Sequence, residues 1–266
     1  MFIGIANSIG QRFGGGGGGV DPDAAAFFAR VTTAGGSLSA TEQTAVNTLV
    51  VQMKADGIWS KMKAVYPMVG ASAAACAQNL KSSSFTGTFN GGWTFASTGV
   101  TPNGTNGYMD TGLVPRTALQ VNSVSLNFYS RSNIQGNIQL GANTSDYLIQ
   151  QMYSSTEMYS QLNTIGADFI TAPVTQWQGL FTTSRTSSTA VSAYKNGSSI
   201  ATASKTATNT PDLNFYIGAR NNNAAASNFD TKECALASIG DGLTDTEASD
   251  FYTAVQAFQT TLSRQV

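Results

Sequence analysis

Histidine is absent from the 266-residue chain. Its absence removes the usual general base, the commonest metal ligand and the side chain that titrates near neutral pH. No Ser-His-Asp or Cys-His arrangement can be built. Charge is scarce as well: charged residues make up 11% of the chain, against roughly 25% in an ordinary soluble domain. The formal net charge is -1. No basic stripe able to track a phosphate backbone is visible, so nucleic acid is not an expected partner. Cysteine is limited to Cys76 and Cys234. Two thiols make no disulfide framework; they read as small buried hydrophobes, with a single long-range bridge as the alternative. No run approaches the ~18 apolar residues of a membrane span. Met1 to Ala6 have neither the basic n-region nor the long apolar h-region of a signal peptide, and export by such a signal is not expected.

Polarity is carried instead by Ser, Thr, Asn, Gln and 27 glycines. The chain divides into four zones. Met1 to Phe13 is a short peptide with Phe2, Ile3, Ile5 and Phe13 as its large apolar residues, followed by six glycines, Gly14 to Gly19. A glycine run packs nothing and acts as a flexible tether. An apolar peptide on such a tether gains by docking elsewhere, and these four residues are the expected docking contacts.

The second zone, from Asp21 to about Val69, reads as helical. Asp21 or Asp23 can cap a helix carrying Phe27, Phe28 and Val31, which Gly35-Gly36 ends. Ser39-Ala40-Thr41-Glu42 forms a capping box ahead of an apolar stripe of Val46, Leu49, Val50 and Met53. Gly57 fits a left-handed stop. Ile58 to Tyr66 is expected to form one more short helix, with Trp59, Met62 and Val65 on its apolar side.

From about Gln78 to Ser238 the pattern turns to short β-like runs bounded by Gly, Asn and Ser. Val124, Leu126 and Phe128 alternate cleanly with polar residues. Lys195-Asn196-Gly197-Ser198 is a hairpin signal, since Asn-Gly tolerates the positive φ of a type I′ turn. About a dozen such runs argue for a sandwich or jelly roll. The last zone opens with a second capping box, Thr244 to Glu247. Phe251, Val255, Phe258 and Leu262 then line one face of a helix, a stripe expected to pack on the β domain or on another copy of the chain.

No residues stand out as catalytic. Asp241, Asp245 and Glu247 are explained by turns and a cap; Asp146, Glu157 and Asp168 are isolated in sequence. Glycoside hydrolysis needs two carboxylates at a defined separation, and nothing places these together, so the chain is not expected to be an enzyme. Calcium needs a cage of oxygen ligands; the spacing of these acids supplies none, and no metal or other cofactor is expected. Asn221-Asn222-Asn223 and Asn103-Gly104-Thr105-Asn106-Gly107 are polar loops that could meet a sugar or serve as plain turns. Tyr153, Tyr159 and Trp177 could stack on a sugar ring or fill the core.

The stretches "LFTTSRTSSTAVSAYKNGSSIATAS", "NFYIGARNNN" and "CALASIGDGLTDTEASDFYTAVQAFQTTL" resemble the end of a concanavalin-A-like (laminin-G-type) jelly roll. With the opening "IGIANSIG", the glycine tether, the helical zone and the "PNGTNGYMDTG" turn, the whole chain resembles structural proteins of bacteriophage virions. The resemblance implies a mainly β fold: an antiparallel β-sandwich of the concanavalin-A-like jelly-roll kind, with an N-terminal helical segment and a C-terminal helix. Its divisions would be a docking peptide and linker (1–20), a helical segment (21–75) and a lectin-like domain with the terminal helix (76–266). It also implies a fibre, spike or decoration protein on the virion, held to capsid, portal or tail proteins through Phe2, Ile3, Ile5 and Phe13. Such proteins are commonly homo-oligomers, often trimers, with Phe251, Val255, Phe258 and Leu262 as contacts. The alternative role is a lectin-like adhesin for a host surface glycan. The acidic strand of the cleaving relatives, with carboxylates at alternate positions, is missing.

Overall fold

A computed structural model describes residues 19–152 and 156–266. Phe2, Ile3, Ile5, Phe13 and Tyr153 lie outside the described residues. Helices are α1 (Pro22–Thr33), α2 (Ala40–Ala55), α3 (Ala73–Cys76), α4 (Pro115–Ala118) and α5 (Asp245–Thr261). The strands begin with β1 (Met62–Tyr66), β2 (Thr88–Asn90), β3 (Trp93–Ala96), β4 (Gly99–Pro102), β5 (Tyr108–Asp110) and β6 (Val124–Ser130). They continue with β7 (Ile138–Asn143), β8 (Asp146–Gln151), β9 (Glu157–Ile165), β10 (Ile170–Pro173), β11 (Gly179–Arg185) and β12 (Ala190–Lys195). The last are β13 (Ser198–Ser204), β14 (Tyr216–Ile217), β15 (Arg220–Asn222), β16 (Ala225–Ser227) and β17 (Cys234–Gly240).

The strands form two sheets. One runs β13-β12-β11-β6-β17-β4-β3, with β1 also paired to β17; the other runs β10-β9-β8-β7-β14-β5-β2, with the β15–β16 hairpin attached. Among the described residues the pairing is antiparallel, except where β15 runs parallel to β7. Leu126, Phe128 and Phe181 from the first sheet meet Leu140, Leu148, Met158 and Leu162 from the second in one core. Polar groups bridge it too. Gln150 reaches across to donate to Thr183 Oγ1 at 3.2 Å, and Ser160 shares a 2.9 Å hydrogen bond with the same hydroxyl. This is the antiparallel β-sandwich that the alternating strands predict, with helices at both ends of the chain.

A second core lies on the outer face of the first sheet. Tyr129, Leu180, Tyr194 and Leu236 point away from the sandwich there and meet Phe27, Val46, Leu49 and Met53 of the first two helices. The molecule therefore has three layers: helices, helix-covered sheet, and a second sheet. Local signals set the helix ends as expected. Asp21 caps α1, and both reciprocal capping boxes, Ser39 with Glu42 and Thr244 with Glu247, are formed. Glu42 also accepts from the Gly70 amide at 2.7 Å, tying the start of α2 to the loop after β1. Asn196 and Gly197 take φ of +50° and +73°, the left-handed pair that a two-residue hairpin turn requires.

One expectation is corrected. Ile58 to Tyr66 is not a helix: a single 3-10 turn, Trp59–Lys61, leads into β1. Met62 and Val65 face the helical core while Ala64 and Tyr66 face the sandwich core. The segment is buried on both sides, and pairing with the open edge of β17 outweighs a spacing too short to fix a period. A division at 75/76 accordingly separates a strand from its sheet. The stripe on α5 takes the first of its two expected places, the β domain. Phe251, Val255 and Phe258 are buried within the chain and Leu262 packs beside them, so the helix spends its apolar face on its own sheet and on α2. Cys76 and Cys234 are free and buried; burial pushes the Cys76 thiol up to about 12.

Candidate functional site

Because the helical layer covers one sheet only, the outer face of the β10-β9-β8-β7-β14-β5-β2 sheet presents its own side chains. Alternation along each strand decides which they are. On β5, Met109 points into the core, which sends Tyr108 and Asp110 outward. Phe215 and Ile217 likewise enclose the outward Tyr216. Tyr147 and Tyr159 alternate with the core residues Leu148 and Met158 and are half-exposed, whereas Ile149 and Gln161, on the same side, are each 1% exposed.

The rings of Tyr108 and Tyr216 stack at 4.6 Å with 28° between their planes. Phe229 extends the group, 6.5 Å from Tyr108. Tyr216 is mostly buried beneath its neighbour, while Tyr108 stays half-exposed. Burial, followed by nearby Asp110, pushes the Tyr216 hydroxyl up. Asp110 is held by Asn214, whose amide donates to it at 3.0 Å.

Next to this pair lies Gly141, which pairs with Tyr216 across β7 and β14. A Cβ on Gly141 would sit 2.8 Å from an Ile149 methyl and 3.5 Å from Cγ of Arg220. The missing side chain is what lets the Arg220 stem lie on the sheet. The Arg220 guanidinium is half-buried, and its Nε is buried without a hydrogen-bond partner. Burial lowers its pKa, with nearby Tyr147 acting against that. Every other cation among the described residues is engaged. Lys54, Lys61, Lys63, Arg116, Arg131 and Lys205 pair with carboxylates. Arg30, Lys81, Arg185, Lys195, Lys232 and Arg264 donate to backbone carbonyls.

The candidate sugar-contact residues divide between face, turn and core. Trp177 is core, 4% exposed, with the Lys232 ammonium 5.3 Å from its ring centre. Tyr159 is on the open face and bonds Glu157 at 2.8 Å. Asn103 and Asn106 build their own turn: Asn103 Oδ1 accepts from the amides of Thr105, Asn106 and Gly107. Asn221 is buried and donates to Asn214 O at 2.8 Å, and Asn222 accepts from Asn143 at 2.9 Å. Only Asn223 of that triplet is exposed. Tyr108, Tyr147, Tyr216 and Arg220 were not singled out by the sequence. The three tyrosines carry a readable signal, since each alternates with apolar neighbours; Arg220 carries none.

The acids do not converge. Asp146 accepts from Thr208, Asp168 pairs with Lys205, and Asp241 pairs with Lys63. Asp245 accepts from Tyr194, and Glu247 is the α5 cap. Asp110 and Glu157 share the open face, but β5 and β9 are separated by β14, β7 and β8. At ~4.8 Å per strand that is about 19 Å, twice the widest separation used by glycosidase pairs. Among the described residues no group of three acids or cysteines could hold a metal ion. A cleft of about 640 Å³ lies elsewhere, between Leu38, Gly70, Ser97 and Leu262. Its carboxylate, Glu42, is already used by the α2 cap and Gly70.

No family model and no characterised protein matches the sequence. The fold has solved counterparts. Domain 4 of AbnA, an extracellular arabinanase of Geobacillus stearothermophilus determined with arabinotriose, superposes with a TM-score of 0.53 at 14% identity, over 72% of this chain and 98% of that one. The binding domain of botulinum neurotoxin DC, determined with rat synaptotagmin II, gives 0.55 at 11% identity over 75% of this chain. Botulinum neurotoxin type C, whose cell entry depends on two ganglioside molecules, gives 0.53 at 10% identity over 75%. The chain spans about half the length of the two toxin chains, 52% in each case. At these identities the likeness is one of fold: a β-sandwich.

Proposed function

We propose that this chain is a carbohydrate-binding module whose site is the open face of the second sheet, and that it acts without catalysis. The observation that carries this reading is the Tyr108–Tyr216 stack beside an unengaged Arg220 on a face no helix covers. Tyrosine offers an apolar ring for the C–H face of a sugar and a hydroxyl for its polar rim. Rings and a few polar groups along one sheet face suit a chain ligand. The sandwich neighbours solved with arabinotriose or described with gangliosides support the reading by analogy of fold. Screening the purified chain on an array of oligosaccharides is expected to reveal binding. Tyr108→Ala and Tyr216→Ala should each weaken it tenfold or more, roughly the 1.4 kcal/mol or above that an aromatic anchor supplies. Unchanged affinity in both variants, with melting temperature preserved, would move the site elsewhere.

A finer reading places the module on a bacteriophage particle. It is favoured by the apolar Met1–Phe13 peptide and the Gly14–Gly19 run, which together suit a docked peptide on a flexible tether. A chain lacking residues 1–19 is expected to fold and bind glycan normally while failing to join particles. Normal incorporation would sink this placement and leave the binding module untouched.

A further inference from the structure

We propose that Arg220 receives the carboxylate of an acidic sugar, so that the glycan bound here contains uronic or sialic acid. The inference rests on the carbohydrate reading above and narrows it to a substrate class.

Four observations converge. Arg220 is the one cation among the described residues with neither an ion pair nor a hydrogen bond, in a chain where charge is only 11% of the sequence. A half-buried guanidinium left like this forfeits solvation without recovering it, whereas a bound anion restores its partners. Second, no carboxylate among the described residues acts on it; the titratable neighbour is Tyr147. The position is therefore vacant of internal competition, unlike Arg116 and Arg131, which are already paired. Third, the stem is laid over Gly141 beside Ile149, so the fork is held by packing. A positioned planar fork binds carboxylate through two parallel N–H bonds, which a mobile lysine does not reproduce. Fourth, the Tyr108–Tyr216 stack adjoins the same glycine through the Tyr216–Gly141 pairing. A ring stacked there can put a carboxylate substituent within reach of the fork.

A single guanidinium matches one carboxylate per sugar. A phosphate-rich or heavily sulfated polymer would call for a field of several cations, which this face does not offer.

The test is calorimetric titration of the full chain with an oligogalacturonate and a sialyl-oligosaccharide, each compared with its own methyl ester. Esterification removes the charge and leaves the sugar rings. The wild-type chain should bind at least one acid about tenfold more tightly than its ester, the worth of a charge-assisted hydrogen bond. Arg220→Gln should erase that preference, so that acid and ester bind alike, and Arg220→Lys should restore only part of it. Whichever acid shows the effect identifies the sugar. Equal binding of acid and ester by the wild type would overturn the assignment of Arg220 and leave the carbohydrate reading standing. That comparison needs no variant, so it holds even if Arg220→Gln folds poorly. Equally tight binding of a carboxylate-free sulfated glycan, or of a polyglutamate peptide, would overturn the acidic-sugar class. Binding of no oligosaccharide of any kind would overturn both readings together.

Discussion

Replacing Arg264 with methionine is expected to destabilise the protein by about 3–5 kcal/mol, read as a lower midpoint in urea unfolding. Arg264 is 1% exposed, an unusual place for a guanidinium. It donates to Met68 O at 2.8 Å, Pro67 O at 2.7 Å and Ala235 O at 2.8 Å, and to the Gln259 side chain. Its charged end also lies 5.1 Å from the centre of the Phe258 ring. Burial holds its pKa down to about 10, still far enough above neutrality to keep the proton. One side chain thus ties the loop after β1, the start of β17 and the end of α5. Methionine keeps much of the volume but leaves the buried carbonyls of Pro67 and Met68 without a donor, each costing roughly 1–3 kcal/mol, while Ala235 O keeps only the 3.4 Å bond from Gln259. In a protein of this size the loss corresponds to roughly 10 °C in melting temperature. A shift under about 2 °C would mean that those carbonyls find other partners.

Phe251→Ala should cost a similar amount, about 3–5 kcal/mol, and leave the oligomeric state unchanged. Phe251 is fully buried between α5 and the helix-covered sheet. Truncating it opens a cavity in a three-layer contact that cannot collapse, because α2 and the sheet are fixed by other residues. If the ring were instead an intermolecular contact, alanine would dissociate an assembly with little loss of monomer stability. Light scattering combined with urea unfolding separates the two outcomes.

How far the molecule could be read from its sequence follows from the range of each signal. Capping boxes, the Asn196-Gly197 turn and the Val124-Leu126-Phe128 alternation are decided within a few residues, and all three are formed as expected. The α5 stripe was legible as a stripe, but its target was not, since one amphipathic face serves equally for a sheet or a second copy. Segment 58–66 was misread because Trp59, Met62 and Val65 fit a helical spacing over too few residues. Its true determinant is the unfilled edge of β17, some 170 positions away. The strands β4, β10, β15 and β16 carry little local signal: each is short, and β15 pairs in parallel with a distant β7. At the candidate site, Tyr108 and Tyr216 sit on readable alternations, yet nothing local says that they stack. Arg220 is the extreme case. Its isolation is defined by where every other cation found a partner, a property of the whole fold.

The single helical cover has a directional consequence. Asp21, the first helix cap, hydrogen-bonds to Asn47 of α2 at 2.7 Å, so the chain enters the molecule on its helical side. The tyrosines and Arg220 occupy the opposite side, with two sheets about 10 Å apart in between. The sandwich is in effect a tile with a fixed back and front. Asp21 and the first helix lie at the back, and the tyrosine face points the other way. The layer order alone therefore puts the start of the first helix and the tyrosine face on opposite sides of the sandwich.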